Sequence, residues 1–471
     1  MRHDPSFAPP YGERPRRRRG RLVVALVAVA ALAFAAAGAL RVGPSPAVTI
    51  APEPQVVGRS FPVEVRVSEP ARGLTGVTIE LVQGDRVEPI GGRDFAPLPG
   101  WKLLGERTPE WTFPLDLGKN TLASLAEGDA TLRVTARPAP AWLRRGSPVV
   151  VERPFRVRLT PPQLAVLSTQ HYVAQGGSEV VLYRVGEGSA RDGVEAGGRF
   201  FPGFDLPGGR DGERFALFAV PYDTASAEGV QLVASDEAGN LRTAKFVDQF
   251  FPAPLAEDDI ELDDRFLDKV VPSILAGAPE LADRGDLLQN FLQINRDLRQ
   301  ANARTLVELA AKTRPEFLWQ STFLALPGGK VMSSFADRRT YFYRGQKVDQ
   351  QDHLGFDLAS VKRAAVPAAN RGVVLFAREL GIYGNAVVVD HGYGLMTLYA
   401  HLSAIAVQEG DTVERMQTLG TSGETGLAGG DHLHFSFLLH GLPVRPVEWW
   451  DAHWLTDRLK RKLGAALPFT G

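Results

Sequence analysis

The chain has 471 residues, 53 Lys+Arg against 54 Asp+Glu, and no cysteine. That length suggests roughly three domains. The near-zero net charge implies no global electrostatic partner, nucleic acid included. The lack of cysteine excludes disulfides and thiolate metal sites.

Residues 1–21 form a basic tail containing Arg14, Arg16, Arg17, Arg18, Arg19 and Arg21. Leu22 to Leu40 then runs without a charge and is rich in Ala, Val and Leu. The run is long enough to span a bilayer and exceeds the usual core of a signal peptide. A transmembrane helix is therefore predicted over 22–41. The preceding arginines orient it with the N-terminus in the cytoplasm and the remainder in the periplasm or at the cell surface. A cleaved signal peptide, processed near Ala37-Gly38-Ala39, is the alternative.

The 34 prolines and 48 glycines of the chain suit turn-rich β structure. A proline-bearing stretch, 43–54, reads as a stalk, with Pro44, Pro46, Pro52 and Pro54. Alternating runs follow at Phe61–Val67, Val77–Leu81 and Thr131–Thr135, and period two predicts antiparallel strands. Residues 43–160 are thus expected to form one β-sandwich module. A second occupies 161–256, with apolar runs at Val180–Tyr183, Phe215–Val220 and Leu232–Asn240. The last of these resembles the closing strand and turn of bacterial Ig-like modules, so both modules are expected to be Ig-like sandwiches, acting as a spacer or as a binding unit.

The pattern changes over 257–317. Phe266, Leu267, Val270 and Val271 recur at helical spacing, and Leu287, Leu288, Phe291, Ile294 and Leu298 form a second stripe. A helical linker or regulatory segment is expected, which could cover a neighbouring site until a partner protein of the envelope moves it.

Residues 318–455 carry the chemistry, followed by a tail at 456–471. Seven of the nine histidines lie beyond residue 350. His353 precedes Asp357 by four residues, with Gly355 between them, which favours a loop and strand over a helix. His432 and His434 lie two apart, so on a strand they share a face while Leu433 points to the core. His401 sits in Tyr399-Ala400-His401-Leu402. Two imidazoles and a carboxylate suit one zinc ion with a coordination position open to water. His391, His440, His453 and Asn385 read as structural or surface residues.

The ordered pieces Val331-Met332-Ser333-Ser334-Phe335, His353 to Asp357, Gly381-Ile382-Tyr383-Gly384-Asn385, Val387 to Gly392, Tyr399 to Leu402, Gly420 to Gly426 and Asp431 to Phe435 resemble the M23 (LytM/lysostaphin-like) zinc metallopeptidases. That resemblance implies a compact antiparallel β-sheet domain and a peptidase for bacterial peptidoglycan. It implies His353, Asp357 and His434 as ligands of one zinc per chain, with His401 and His432 as the catalytic pair. His432 is assigned as the base towards water and His401 as the group that stabilises or protonates the tetrahedral intermediate; the two roles can be exchanged. Ala336, Asp431 and Ser436 depart from the family pattern, which more often has glycine, proline and glutamate there. The expected function is a membrane-anchored zinc endopeptidase acting on peptidoglycan cross-links. The alternatives are a non-catalytic binding protein of the same fold that regulates wall hydrolysis, and a peptidase for an extracellular protein.

Overall fold

The computed structural model describes residues 17–40, 44–100, 102, 105–141 and 144–470. The structure is mainly β with few helices. The chain divides into two compact units, Met1–Thr160 with Ala238–Asn240, and Pro161–Glu237 with Leu241–Gly471.

The predicted span falls on the helix Arg17–Leu40; Arg41 and most of the basic tail lie outside the described residues. Its described side chains, residues 20–36, are exposed. Among the described residues, no helix is long and apolar enough to cross a membrane.

In the first unit a three-stranded antiparallel sheet (Ala47–Ala51, Pro62–Ser68, Glu110–Asp116) shares a core with a five-stranded sheet. The latter orders Val56–Val57, Val149–Val157, Gly128–Pro138, Leu74–Gln83 and Arg86–Asp94. Alternation decides the faces: Val63, Val65 and Val67 point inward against Ile79, Leu81, Leu132 and Val134. The stretch expected to be a stalk is partly strand, with Ala47–Ala51 pairing along Glu64–Ser68. Alternating Val48 and Ile50 outweigh the flanking prolines there, because both pack on the core.

The second unit opens with two four-stranded sheets. One orders Phe204–Asp205, Glu213–Ala219, Ser178–Val185 and Leu164–Val166; the other orders Arg199–Pro202, Ser189–Ala196, Gln231–Asp236 and Leu241–Ala244. The run ending at Asn240 is therefore followed by a further strand of its own sheet. This module is no detached spacer. Its Val180, Phe215 and Phe218 belong to the same buried cluster as Trp319, Phe437 and Trp449 of the C-terminal region.

The segment 257–317 begins with a strand, Glu257–Leu262, which pairs in parallel with Asp337–Tyr343. Helix Asp264–Gly277 follows, capped by Asp263, whose side chain accepts from the Phe266 amide. Helix Leu287–Gln293 runs through one π-helical turn, Ile294–Leu298, into helix Arg299–Ala310. The predicted stripe is buried: Leu267, Val270, Val271, Phe291, Ile294 and Leu298 pack together with Tyr341 and Ile382.

The C-terminal region is built on an antiparallel sheet. It orders Lys330–Ser333, Phe356–Ala359, Leu433–Leu439, Leu395–Leu402, Asn385–Gly392, Gly372–Glu379 and Thr412–Val413, with Leu442–Val444 also on Leu433–Leu439. Trp449 stacks on Phe437, ring centroids 5.7 Å apart, and so fixes the C-terminal segment to the sheet. Residues 456–470 are not a tail. Helical turns carry Leu455, Leu459 and Leu463 into the core, and Leu467 and Phe469 follow. The four-residue spacing puts these leucines on one helix face.

Candidate metal centre

Strand register assembles the site. Asp357 is directly opposite His434 on the neighbouring strand, and Ala400 is opposite His434 on the other side. His353 ends the strand Gln346–His353 and pairs with Asp337. Gly355 lets the chain turn between His353 and Asp357 with no side chain to strike His434. The structure thus brings the three predicted ligands to one point. His353 Nε2 lies 3.0 Å from Asp357 Oδ1 and 3.0 Å from His434 Nδ1, and His434 Nδ1 lies 3.1 Å from Asp357 Oδ1.

The outer hydrogen bonds set the tautomers. His353 Nδ1 lies 3.0 Å from the Ser334 carbonyl oxygen, so it donates there and turns a bare Nε2 inward. His434 Nε2 lies 3.0 Å from Ser436 Oγ, and that hydroxyl donates to the Leu354 carbonyl. Ser436 therefore accepts from His434, whose Nδ1 faces inward bare. The serine that departs from the family pattern orients a candidate ligand.

Two nitrogen lone pairs and a carboxylate oxygen at this spacing repel one another unless a proton or a cation lies among them. Burial pushes His434 down to about 4, which disfavours the proton. Burial pushes the Asp357 carboxyl up, but its close polar contacts with the imidazoles of His353, His432 and His434 outweigh it and hold the group well below the usual carboxylate range. Arg339 Nη2 donates to Asp357 Oδ2 at 2.8 Å, leaving Oδ1 to face the histidines. Nitrogen and oxygen ligands at roughly 2.0–2.1 Å in a tetrahedron stand about 3.3 Å apart. The observed edges are close to that, so the donor set fits zinc.

His401 and His432 face the same point, with ring centroids 4.9 Å apart. His401 Nδ1 donates to the Thr425 carbonyl and His432 Nδ1 to the Gly430 carbonyl, each at 2.8 Å. Each ring therefore offers Nε2 to the site. Burial, helped by the charges of His432 and His434, holds His401 well below its ordinary value. Burial pulls His432 down as well, but the hydrogen bond and charge of Asp357 outweigh it and raise the group. His401 has φ +61°, a conformation that disfavours any non-glycine residue.

His391, His440 and His453 are structural or at the surface, as expected. His391 is buried between the Arg371 carbonyl and Thr397 Oγ1, and His440 lies against Phe201 and Phe204. His453 is exposed beside Asp457. Asn385 fixes a turn: its amide Nδ2 donates to the Leu402 carbonyl.

Two cavities meet at the candidate ligands. One, of about 370 Å³, is walled by Leu262, Phe266 and Phe291 of the helical segment together with Tyr341. The other, of about 710 Å³, lies between the second β module and helix Arg299–Ala310. His353, His434, Tyr383 and Arg299 line both. Arg339, Arg299 and Ser436 were not singled out as site residues from the sequence. Asp357 lies 18 positions from Arg339, and no local pattern marks that pair.

Residues 351–446 match the model of Peptidase family M23. This domain belongs to peptidase family M23. Its similarity to DD-carboxypeptidase/endopeptidase Mpg of Neisseria meningitidis is 43% identity over 95 residues, 20% of this chain and 22% of that protein. To peptidoglycan DD-endopeptidase ShyA of Vibrio cholerae it is 41% over 96 residues, 20% of this chain and 22% of that protein. Over ShyC of the same organism it is 35% across 133 residues, 28% and 30% of the two chains. The chain thus matches less than a third of the length of these curated relatives. Among solved structures, an M23 peptidase from Pseudomonas aeruginosa aligns with 60% of this chain and 96% of its own, at 22% identity and a TM-score of 0.36. The catalytic domain of lysostaphin from Staphylococcus simulans aligns with 26% and 94%, at 24% identity and a TM-score of 0.24.

Proposed function

We propose that this protein is a zinc metalloendopeptidase that hydrolyses peptide cross-links of bacterial peptidoglycan. The observation that carries the reading is the convergence of inward-facing His353 Nε2, His434 Nδ1 and Asp357 Oδ1 at 3.0–3.1 Å. Its curated M23 relatives bear names such as peptidoglycan DD-endopeptidase, which supports the substrate class.

In this reading His353, Asp357 and His434 hold one zinc. Zinc, when bound, supplies the Lewis acidity that polarises a carbonyl and makes water nucleophilic near neutral pH. His432 takes the proton of the attacking water at Nε2. His401, whose Nδ1 is held by the Thr425 carbonyl, stabilises the developing tetrahedral centre once its Nε2 has received the proton released by the attacking water, or passes that proton on to the departing amine, and the two roles can be exchanged. Arg339 keeps the Asp357 carboxylate oriented. Tyr383 and the apolar wall of the smaller cavity limit water at the reacting peptide.

The uncharged run from Leu22 to Leu40 behind its arginine cluster supports a single-pass anchor in the cytoplasmic membrane. The N-terminus would lie inside and the peptidase domain in the periplasm or at the cell surface. The β modules would act as Ig-like units of that exported part. The helical wall of the smaller cavity would be the element on which an envelope regulator acts.

The test is digestion of purified sacculi by the zinc-loaded full chain, with product masses, beside His401→Ala and His434→Ala. Release of peptide-cleaved muropeptides by the parent chain alone supports the proposal. A folded, zinc-loaded chain that releases none contradicts it.

A further inference from the structure

Arg299 lines both cavities where they meet. Arg299 begins the helix that follows the π-helical turn Ile294–Leu298, and π turns are frequent at functional sites. Its guanidinium is held along one edge: Nε donates to the Asn295 carbonyl at 3.1 Å and Nη2 to Asn295 Oδ1 at 2.7 Å. Asn295 is fully buried and is itself fixed, donating from Nδ2 to Asp349 Oδ2 at 2.8 Å. The Asp349 charge is taken by Arg296, at 2.9 Å. Among the described residues no carboxylate pairs with Arg299. By contrast, Arg339, the other arginine beside the candidate ligands, is paired with Asp357.

Among the described residues, Nη1 of Arg299 makes no hydrogen bond. Arg299 lies on the walls that carry His353 and His434. A planar fork of two N–H groups matches a carboxylate. Tyr383, whose ring centroid lies 5.5 Å from that of His434, lines both cavities together with Arg299.

We propose that Arg299, which lies outside the region matched by the family, is a substrate-positioning residue: it binds a free carboxylate of the peptide next to the scissile amide. The inference rests on the peptidase reading above. In a cross-link between two D-centres, the amine-side residue keeps such a carboxylate one carbon from the scissile nitrogen. Held by Arg299, it would fix which amide lies over the candidate metal centre. The class of bond cut would then be chosen partly by the helical segment rather than by the peptidase domain alone.

The test compares two synthetic cross-linked peptides, one with that carboxylate free and one with it converted to a carboxamide, on the zinc-loaded full chain. The parent chain should prefer the carboxylate in kcat/KM by roughly ten- to a hundred-fold, the worth of a charge-assisted hydrogen bond. Arg299→Ala should abolish the preference, chiefly through KM. Arg299→Lys, which keeps charge without the fork, should retain part of it. Thermal melts and zinc content of each variant report folding separately. Equal losses on both peptides, or a preference that survives Arg299→Ala, would overturn the proposal. If the parent chain cuts neither peptide, the peptidase reading fails instead. Calorimetric binding of the same pair still decides this inference, because a carboxylate preference that Arg299→Ala removes supports it and none in the parent chain refutes it.

Discussion

Replacing Gly355 by alanine should weaken metal binding without unfolding the domain. A Cβ built there meets Ser436 Oγ at 2.5 Å and His434 Cε1 and Nε2 at 2.6 Å each. Ordinary contacts need about 3.5–4.0 Å between carbons, so the imidazole and hydroxyl must retreat by about 1 Å. The Gly355 backbone is not in the left-handed region, so the effect is steric rather than conformational. Retreat strains the hydrogen bonds from His434 to Ser436 and from Ser436 to Leu354, at 3.0 and 2.8 Å. It also moves His434 Nδ1 away from His353 Nε2 and Asp357 Oδ1, while ligand distances tolerate only about 0.2 Å. Loss of an outer partner costs roughly 10- to 100-fold in metal affinity, or about 1.4–2.8 kcal/mol. Zinc competition against a chromophoric chelator would measure it, with a melting curve to report the fold. A Gly355→Ala protein that binds zinc as the parent does would refute the packing argument.

Ser436→Ala should lower zinc affinity by about 10-fold, because His434 loses the partner that fixes its tautomer; the same competition titration measures it. Ala336, where glycine is usual, has φ +67°. Ala336→Gly should therefore raise stability by up to about 1 kcal/mol, seen as a higher midpoint in urea, and an unchanged or lower midpoint would show that the strain is not felt. Leu459→Ala should cost about 2–5 kcal/mol, since its side chain is buried in the core formed with the β module; a cost near zero in urea titration would mean that the terminal helix does not support the fold. Glu448, whose Oε2 accepts from the Ser178 amide, is pushed by burial up to about 8. Its folded value lies above its unfolded one, so its contribution is complete below about pH 4.5 and is lost as pH rises through 8. Melting temperature should fall over this window, and Glu448→Gln should flatten the fall; parallel curves for the two proteins would contradict the burial argument.

The centre itself was legible because its residues are spaced by strand geometry. His432 and His434, two apart, and His353 with Asp357 across a glycine encode their own convergence once they lie on adjacent strands. The supporting groups were not legible. Ser436 looked like a departure from pattern, and only the Leu354 carbonyl beside it shows that it accepts from His434. Arg299 and Arg339 act across tertiary contacts that leave no periodic trace. The terminal helix was visible in principle, because Leu455, Leu459, Leu463 and Leu467 recur every four residues. The stalk was misread because proline content was weighed above the short alternation of Val48 and Ile50. The shared core of the second β module and the peptidase domain joins Phe215 to Tyr393, ring centroids 4.9 Å apart. Neither local sequence announces that partner.

Zinc counted per chain, with X-ray absorption to identify the donor atoms, tests the central claim most directly. One zinc bound by two imidazoles and a carboxylate in the parent protein and in His401→Ala, and almost none in His353→Ala or His434→Ala, is the expected result. A well-folded parent chain without zinc, or a His434→Ala protein that still holds a full equivalent, would contradict it.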